Sequence, residues 1–227
     1  MGDHRELLAN LRELLEKPVK QHYPLPPGET AESWKAAALA ALARVDGAGL
    51  LGLLDARGAP LATHLAALFD PGITPNFEQR PGLVRLAGEL LRNLADPGRI
   101  NQGHNSTCSV TCVESYLAAE QPAEYARLLV GLMSASGTVE MCSGTPWPRD
   151  EEVMLWSDKE AKRSPVSRLF QVSAMEFAYP ALDYRNTFDG LLERGDRTGE
   201  FILVGSGVDL DAFDNFLEGI TGVRWDT

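Results

Sequence analysis

A cysteine that follows a glutamine by six residues, where a loop gives way to a helix-forming run, is an arrangement able to attack a carbonyl. The stretch reads Asn101-Gln102-Gly103-His104-Asn105-Ser106-Thr107-Cys108. A thiol at the start of a helix lies among backbone N–H groups that lack intrahelical partners and at the positive end of the macrodipole, which favours the thiolate. A side-chain amide just upstream, that of Gln102, suits the oxyanion formed when such a thiolate adds to an amide or thioester carbonyl, and the Cys108 backbone N–H is a second donor. Acyl transfer also needs a base. His104 is the nearest imidazole, although it shares the nucleophile's own loop, where a polar side chain serves equally well to face solvent. Cys108, Gln102 and His104 are therefore the candidate catalytic residues.

These residues carry a resemblance. Asn-Gln-Gly, a few small residues, and then the cysteine that opens a long helix is similar to the nucleophile segment of papain-like cysteine peptidases, with the same glutamine-to-cysteine spacing. The likeness covers only this stretch and the helix after it. It implies Cys108 as nucleophile, Gln102 as oxyanion donor, a protein or peptide substrate, no cofactor and no metal. It also implies a papain-like first lobe whose central helix starts at the cysteine. Members of that family usually have a second cysteine within the loop and an aromatic residue after the nucleophile; here Asn105 or Ser106 and Ser109 stand in those places. They draw the basic histidine, with its orienting Asn or Asp, from a second lobe further along the chain, and no histidine follows His104 in this sequence. Three arrangements stay open: an N-terminal part of a longer protein whose C-terminal lobe supplies the base, a complete but inactive relative, or a complete enzyme whose base is His104 or comes from a partner chain.

Other groupings point less far. His104, Cys108 and Cys112 recur every fourth residue and would need Cys142 to complete a zinc set, but thiolate zinc sites favour paired Cys-x-x-Cys knuckles, and Cys112 reads as a small buried residue. A Cys108–Cys112 disulfide does not suit side chains one helical turn apart. Asp209, Asp211 and Asp214 lack the glycine and closing glutamate of a calcium loop and read as a solvated helix start. The basic cluster from Lys159 to Arg163 reads as a solvated loop, with a processing site as the alternative.

The elements that must position the motif are mostly helical. Leu7, Leu8, Leu11, Leu14 and Leu15 form one stripe, ended near Pro18. The proline-rich run from Tyr23 to Gly28 is a connector, after which Thr30 caps a helix through Trp34 to Val45, closed by Gly47 and Gly49. Leu50 to Leu54 and Leu61 to Phe69, split at Arg57-Gly58-Ala59-Pro60, suggest a helical hairpin, with a strand as the alternative for the first. Pro81 suits the first turn of a helix carrying Leu83, Leu86, Leu90 and Leu94. Asp96-Pro97-Gly98 stops that helix and divides the chain into a helical N-terminal region, residues 1–98, and a lobe carrying the nucleophile, residues 99–227.

Beyond the motif, Thr107 to Ala119 predicts a helix with Val110, Val113, Tyr116 and Leu117 on one side, and Pro122 opens another through Tyr125, Leu128, Leu129 and Leu132. The alternation from Gly137 to Cys142, the turn at Ser143-Gly144 and Pro146, and then Val153 to Trp156 predict a β-hairpin or two loosely paired strands. Ser164-Pro165 leads into a helix through Leu169, Phe170, Ala174 and Phe177. Phe201 to Val204 is a strand candidate, and Asp209 to Ile220 an amphipathic helix on Leu210, Phe213, Phe216 and Leu217. The fold class is thus α+β, predominantly α-helical.

Composition bounds the partners. A net charge of −11 and a pI near 4.8 argue against nucleic acid and against an anionic membrane surface, since phosphate contacts need clustered Lys and Arg. No apolar run approaches the roughly 18 residues of a membrane helix. Three cysteines, an odd and low number, suggest a reducing, cytoplasmic setting. The sequence reads as a cysteine-peptidase-like hydrolase without a recognisable catalytic histidine, or as a papain-like protein-binding module that lacks the general base.

Overall fold

A computed structural model describes residues 4–19, 25–70, 82–150, 153, 163–179, 182–186, 189–193, 208 and 210–222. The fold is α+β and predominantly helical, with eight α-helices and two antiparallel hairpins among these residues. No helix among them is long and apolar enough to cross a membrane.

The first three helices follow the leucine and alanine patterns. α1 spans His4–Glu16 and buries Leu8, Leu11, Leu14 and Leu15. α2, Ala31–Gly47, starts at a capping box in which the Thr30 hydroxyl accepts from the Ser33 N–H while Ser33 accepts from the Thr30 N–H, so two otherwise orphaned donors are satisfied. Leu50–Gly52 is a 3-10 turn, not the helix or strand expected there. The reason lies downstream: Asp55 Oδ1 accepts the N–H groups of Arg57 and Ala59, closing a tight turn that pairs Leu54 with Pro60 and leaves no length for a hairpin of helices. α3 then spans Leu61–Ala67.

α4, Leu83–Ala95, carries the expected leucines and packs most extensively on α2. The indole of Trp34 meets α4 at Gly88 by its six-membered ring's edge, where a Cβ would come within 2.5 Å of two ring atoms. Pro81 falls outside the described residues. The Asp96-Pro97-Gly98 break is a single 3-10 turn, Pro97–Arg99.

α5, Cys108–Glu120, begins at the cysteine itself, and α6, Pro122–Met133, lies against it with Tyr125, Leu128, Leu129 and Leu132 buried. β1, Thr138–Glu140, pairs with β2, Pro146–Pro148, rather than with the Val153 to Trp156 run. Pro146 and Pro148 are exposed and flank buried Trp147; proline is tolerated there because a two-stranded hairpin has edges that need no ladder donor. Of the second run only Val153 is described, and it is buried. α7, Pro165–Ala178, is capped by the Ser164 hydroxyl. β3, Leu182–Arg185, and β4, Gly190–Glu193, form a second hairpin that the sequence reading did not anticipate, and α8 spans Leu210–Thr221. Phe201 to Val204 lies outside the described residues.

Trp147 from β2, Phe170 from α7 and Phe216 from α8 meet edge to face, with centroids 5.2 to 6.2 Å apart, and Tyr125 of α6 joins them at 6.1 Å from Phe170. Each such pair adds about 0.5–1.5 kcal/mol beyond area burial. α3 packs on α6 and α4 on α7, so one core runs from the first helix to the last.

Candidate functional site

Cys108 is the first residue of α5 and is exposed, as is His104; Gln102 is half-buried in the preceding loop, where its carbonyl accepts from the Asn105 N–H at 3.4 Å. The three share one short stretch of backbone. Their loop is held by other residues. Gly103 takes φ +66° and lies 3.6 Å from the Arg163 Cβ by the position a Cβ of its own would occupy, so the turn needs the left-handed conformation that glycine adopts without strain. The Asn101 side chain accepts the Gly103 N–H at 3.0 Å.

Two supports reach the loop from outside. Gln171 of α7, wholly buried, donates to the Asn101 carbonyl at 3.2 Å and accepts from the Thr107 hydroxyl at 2.9 Å. On the other flank both Asp189 carboxylate oxygens accept the Ser106 N–H, at 2.9 and 2.8 Å, and the Asn105 amide donates to the Asn186 carbonyl at 3.0 Å. Asp189 itself takes φ +51°, a left-handed conformation that Asp tolerates better than most residues, at the turn between β3 and β4. Tyr184 donates to Asp189 at 2.9 Å, and burial followed by that carboxylate's charge pushes the phenol well above its ordinary value.

Thr107 occupies the N-cap of α5, where its hydroxyl donates to Gln171 and makes no cap bond to the helix's first turn. The N–H groups at Cys108 are therefore left without a side-chain acceptor among the described residues.

The face of α5 that carries Cys108 stays open. Cys112, expected to be buried, is exposed one turn on, and Tyr116, expected on the apolar side, is 50 % exposed a turn further. These residues are spaced by four and so stand in one row. The residue that takes the inner position is Glu114, four after Val110 and three before Leu117; that spacing is the sequence signal for it, a carboxylate set in an apolar stripe.

Glu114 accepts from Tyr125 and Gln171, both at 2.8 Å. Complete burial raises its carboxyl above the ordinary value, outweighing those hydrogen bonds and the attraction of Arg163. From Tyr125 the network continues through Asn93 (2.9 Å) to Arg99 (2.8 Å) and Glu89 (2.8 Å).

The other titratable groups lie elsewhere. Cys142 Sγ donates to Glu124 at 3.3 Å, and burial together with that carboxylate pushes the thiol up to about 11. It sits beside a histidine pair absent from the sequence reading: His64 is 2.8 Å from the buried Asp55 carboxylate. Burial would raise Asp55, but the N–H groups of Ala59 and Arg57 and the His64 ring hold it below its ordinary value. Asp55 lies 3.9 Å from Arg127, which is bound to Glu124, so this pair belongs to the α3–α6 junction.

A cavity of about 920 Å³ opens between β2, the end of α7, β3 and α8, and none of its lining residues belongs to the Cys108 loop. Asp150, Glu176 and Asp183 line it with carboxylate oxygens within 4.8 Å of one another; Asp183 pairs with Arg185 at 2.9 Å, and Glu176 accepts the Tyr184 N–H. Asp211 and Asp214 sit on the first turns of α8. No known protein family, no curated protein and no solved structure matches this chain.

Proposed function

We propose that the chain is a papain-like thiol hydrolase, or the first lobe of one, in which Cys108 attacks the carbonyl of a protein or peptide substrate. The observation that carries this reading is the start of α5: the helix opens at an exposed Cys108, after a loop fixed on one flank by buried Gln171 and on the other by half-buried Asp189. In the proposed reaction the Cys108 thiolate adds to the amide carbonyl, and the negative charge moves to the carbonyl oxygen. The Gln102 amide and the Cys108 N–H receive that charge, each such donor contributing about 3–4 kcal/mol in comparable sites. The amine then departs with a proton, leaving an acyl-thioester that water hydrolyses.

Both proton transfers need a base. The open row of Cys108, Cys112 and Tyr116 on α5 is the surface that a second lobe or a partner chain bearing a histidine would cover, and His104 is the candidate within the chain. All three cysteines are unpaired, which suits a reducing, cytoplasmic setting. A second reading is a protein-binding module that keeps the loop and lacks the base.

Hydrolysis of a peptide and of a small activated ester by this chain, beside Cys108→Ala and His104→Ala, separates the readings. Little peptide turnover is expected, because loss of general acid–base help costs about 100- to 10,000-fold, while slow ester cleavage that disappears only in Cys108→Ala supports the thiol reading. Ester cleavage unchanged in Cys108→Ala contradicts it. Robust peptide turnover lost in both variants makes His104 the base.

A further inference from the structure

We infer that Gln171 is the positioning residue of the Cys108 site, a role that rests on the reading of Cys108 as nucleophile. Its amide is wholly buried and all four of its hydrogen-bonding capacities are engaged. Nε2 donates to the Asn101 carbonyl at 3.2 Å and to Glu114 at 2.8 Å, while Oε1 accepts from the Thr107 hydroxyl at 2.9 Å and from Arg163 at 3.2 Å. One side chain thus grips the residue that opens the motif, the residue immediately before the cysteine, and the helix that the cysteine begins.

The orientation of the amide is fixed by its neighbours. A carbonyl and a carboxylate face Nε2; a hydroxyl and a guanidinium face Oε1. Turning the amide over would set Nε2 against the Arg163 guanidinium and Oε1 against the Asn101 carbonyl, so the loop ends are held in one arrangement. The Thr107 hydroxyl, turned to Gln171 as a donor, makes no cap bond to the first turn of α5. Glutamine is the residue this place demands: glutamate would oppose Glu114 and the Asn101 carbonyl with negative charge, and an apolar residue of the same length would fill the volume and release both loop ends.

The test compares the wild-type chain with Gln171→Met, close in shape but unable to make the four bonds, and with the milder Thr107→Val, which removes one of them. Iodoacetamide alkylation is followed across pH, with peptide mapping to give separate rates for Cys108 and Cys112. Cys112, exposed one turn along the same helix, is the internal reference for general loosening.

Gln171→Met is expected to slow Cys108 by about tenfold or more, with a displaced pH profile, and to leave Cys112 within about twofold. Thr107→Val should move Cys108 the same way by less. Unchanged Cys108 rate and pH profile in both variants, or Cys108 and Cys112 changing in parallel, would overturn the inference while leaving the nucleophile reading intact. If Cys108 already reacts no faster than Cys112 in the wild-type chain, the nucleophile reading falls and the inference falls with it.

Discussion

Two glutamates, Glu89 on α4 and Glu114 on α5, are both fully buried and both near the middle of the hydrogen-bond network, yet their surroundings differ in kind. Glu89 meets cations. Arg99, Arg85 and Arg92 stand 2.8, 3.1 and 3.3 Å away, and the Trp34 indole donates at 2.6 Å. Burial alone would raise its carboxyl, but the arginines outweigh burial and hold it below the ordinary range. Glu114 is touched by neutral donors, Tyr125 and Gln171, and there burial prevails. Depth is the same, so the charge of the neighbours decides the sign. The Glu89 node is an ionic clamp on the N-terminal helices, with Arg85 also stacked 4.9 Å above Trp34; the Glu114 node is built of neutral donors, with Arg163 one step away behind Gln171, and ends at the Cys108 loop.

Breaking the ionic node should have the largest effect. Glu89→Gln takes the carboxylate from buried Arg85 and from Arg99, while Arg92 keeps Glu29, and is expected to cost about 3–5 kcal/mol, measured by urea denaturation at neutral pH. Because Glu89 is depressed in the fold, its contribution is present above the ordinary carboxylate range and is lost as pH falls through the folded value, so the gap between wild type and variant should narrow on acidification. Gly88→Ala strikes the same region sterically: a Cβ 2.5 Å from the Trp34 ring and 3.3 Å from the Ala38 Cβ must push the indole off α4. The expected loss is about 1–3 kcal/mol by thermal denaturation.

The neutral node should respond more gently. Tyr125→Phe strips a donor from Glu114 and an acceptor from Asn93, and about 1–2 kcal/mol of stability should go with them. Glu114→Gln is the finest probe. With a raised carboxyl in the fold, Glu114 contributes stability below its unfolded value, and that contribution is lost as pH rises through the folded value. The Tm of Glu114→Gln relative to wild type should therefore climb with pH, opposite in sign to the trend for Glu89→Gln. Parallel trends in the two variants would refute the contrast.

How much of this was legible in the sequence depended on whether the signal was local. The helix start at Cys108, the Thr30 cap, and the proline openings of α6 and α7 rest on residues adjacent in the chain, and they stand where the pattern puts them. The β1 partner was missed because proline at 146 and 148 argues against a strand, and only the exposed edge of a two-stranded hairpin makes room for it. Cys112 and Tyr116 were assigned inward by residue type, when burial on α5 follows the row of Val110, Glu114 and Leu117 instead. Gln102, His104 and Cys108 were legible as a motif. Gln171 and Asp189, which hold that motif, lie 70 and 83 residues from their loop partners and carry no local mark.

The account turns on Cys108. Brief alkylation of the wild-type chain with limiting iodoacetamide near neutral pH, followed by peptide mapping, compares three thiols in one sample. Cys108 should be labelled first and Cys142 last, since burial and Glu124 push the Cys142 thiol up to about 11. Labelling led by Cys112 or Cys142 would contradict the assignment of Cys108 as the nucleophile.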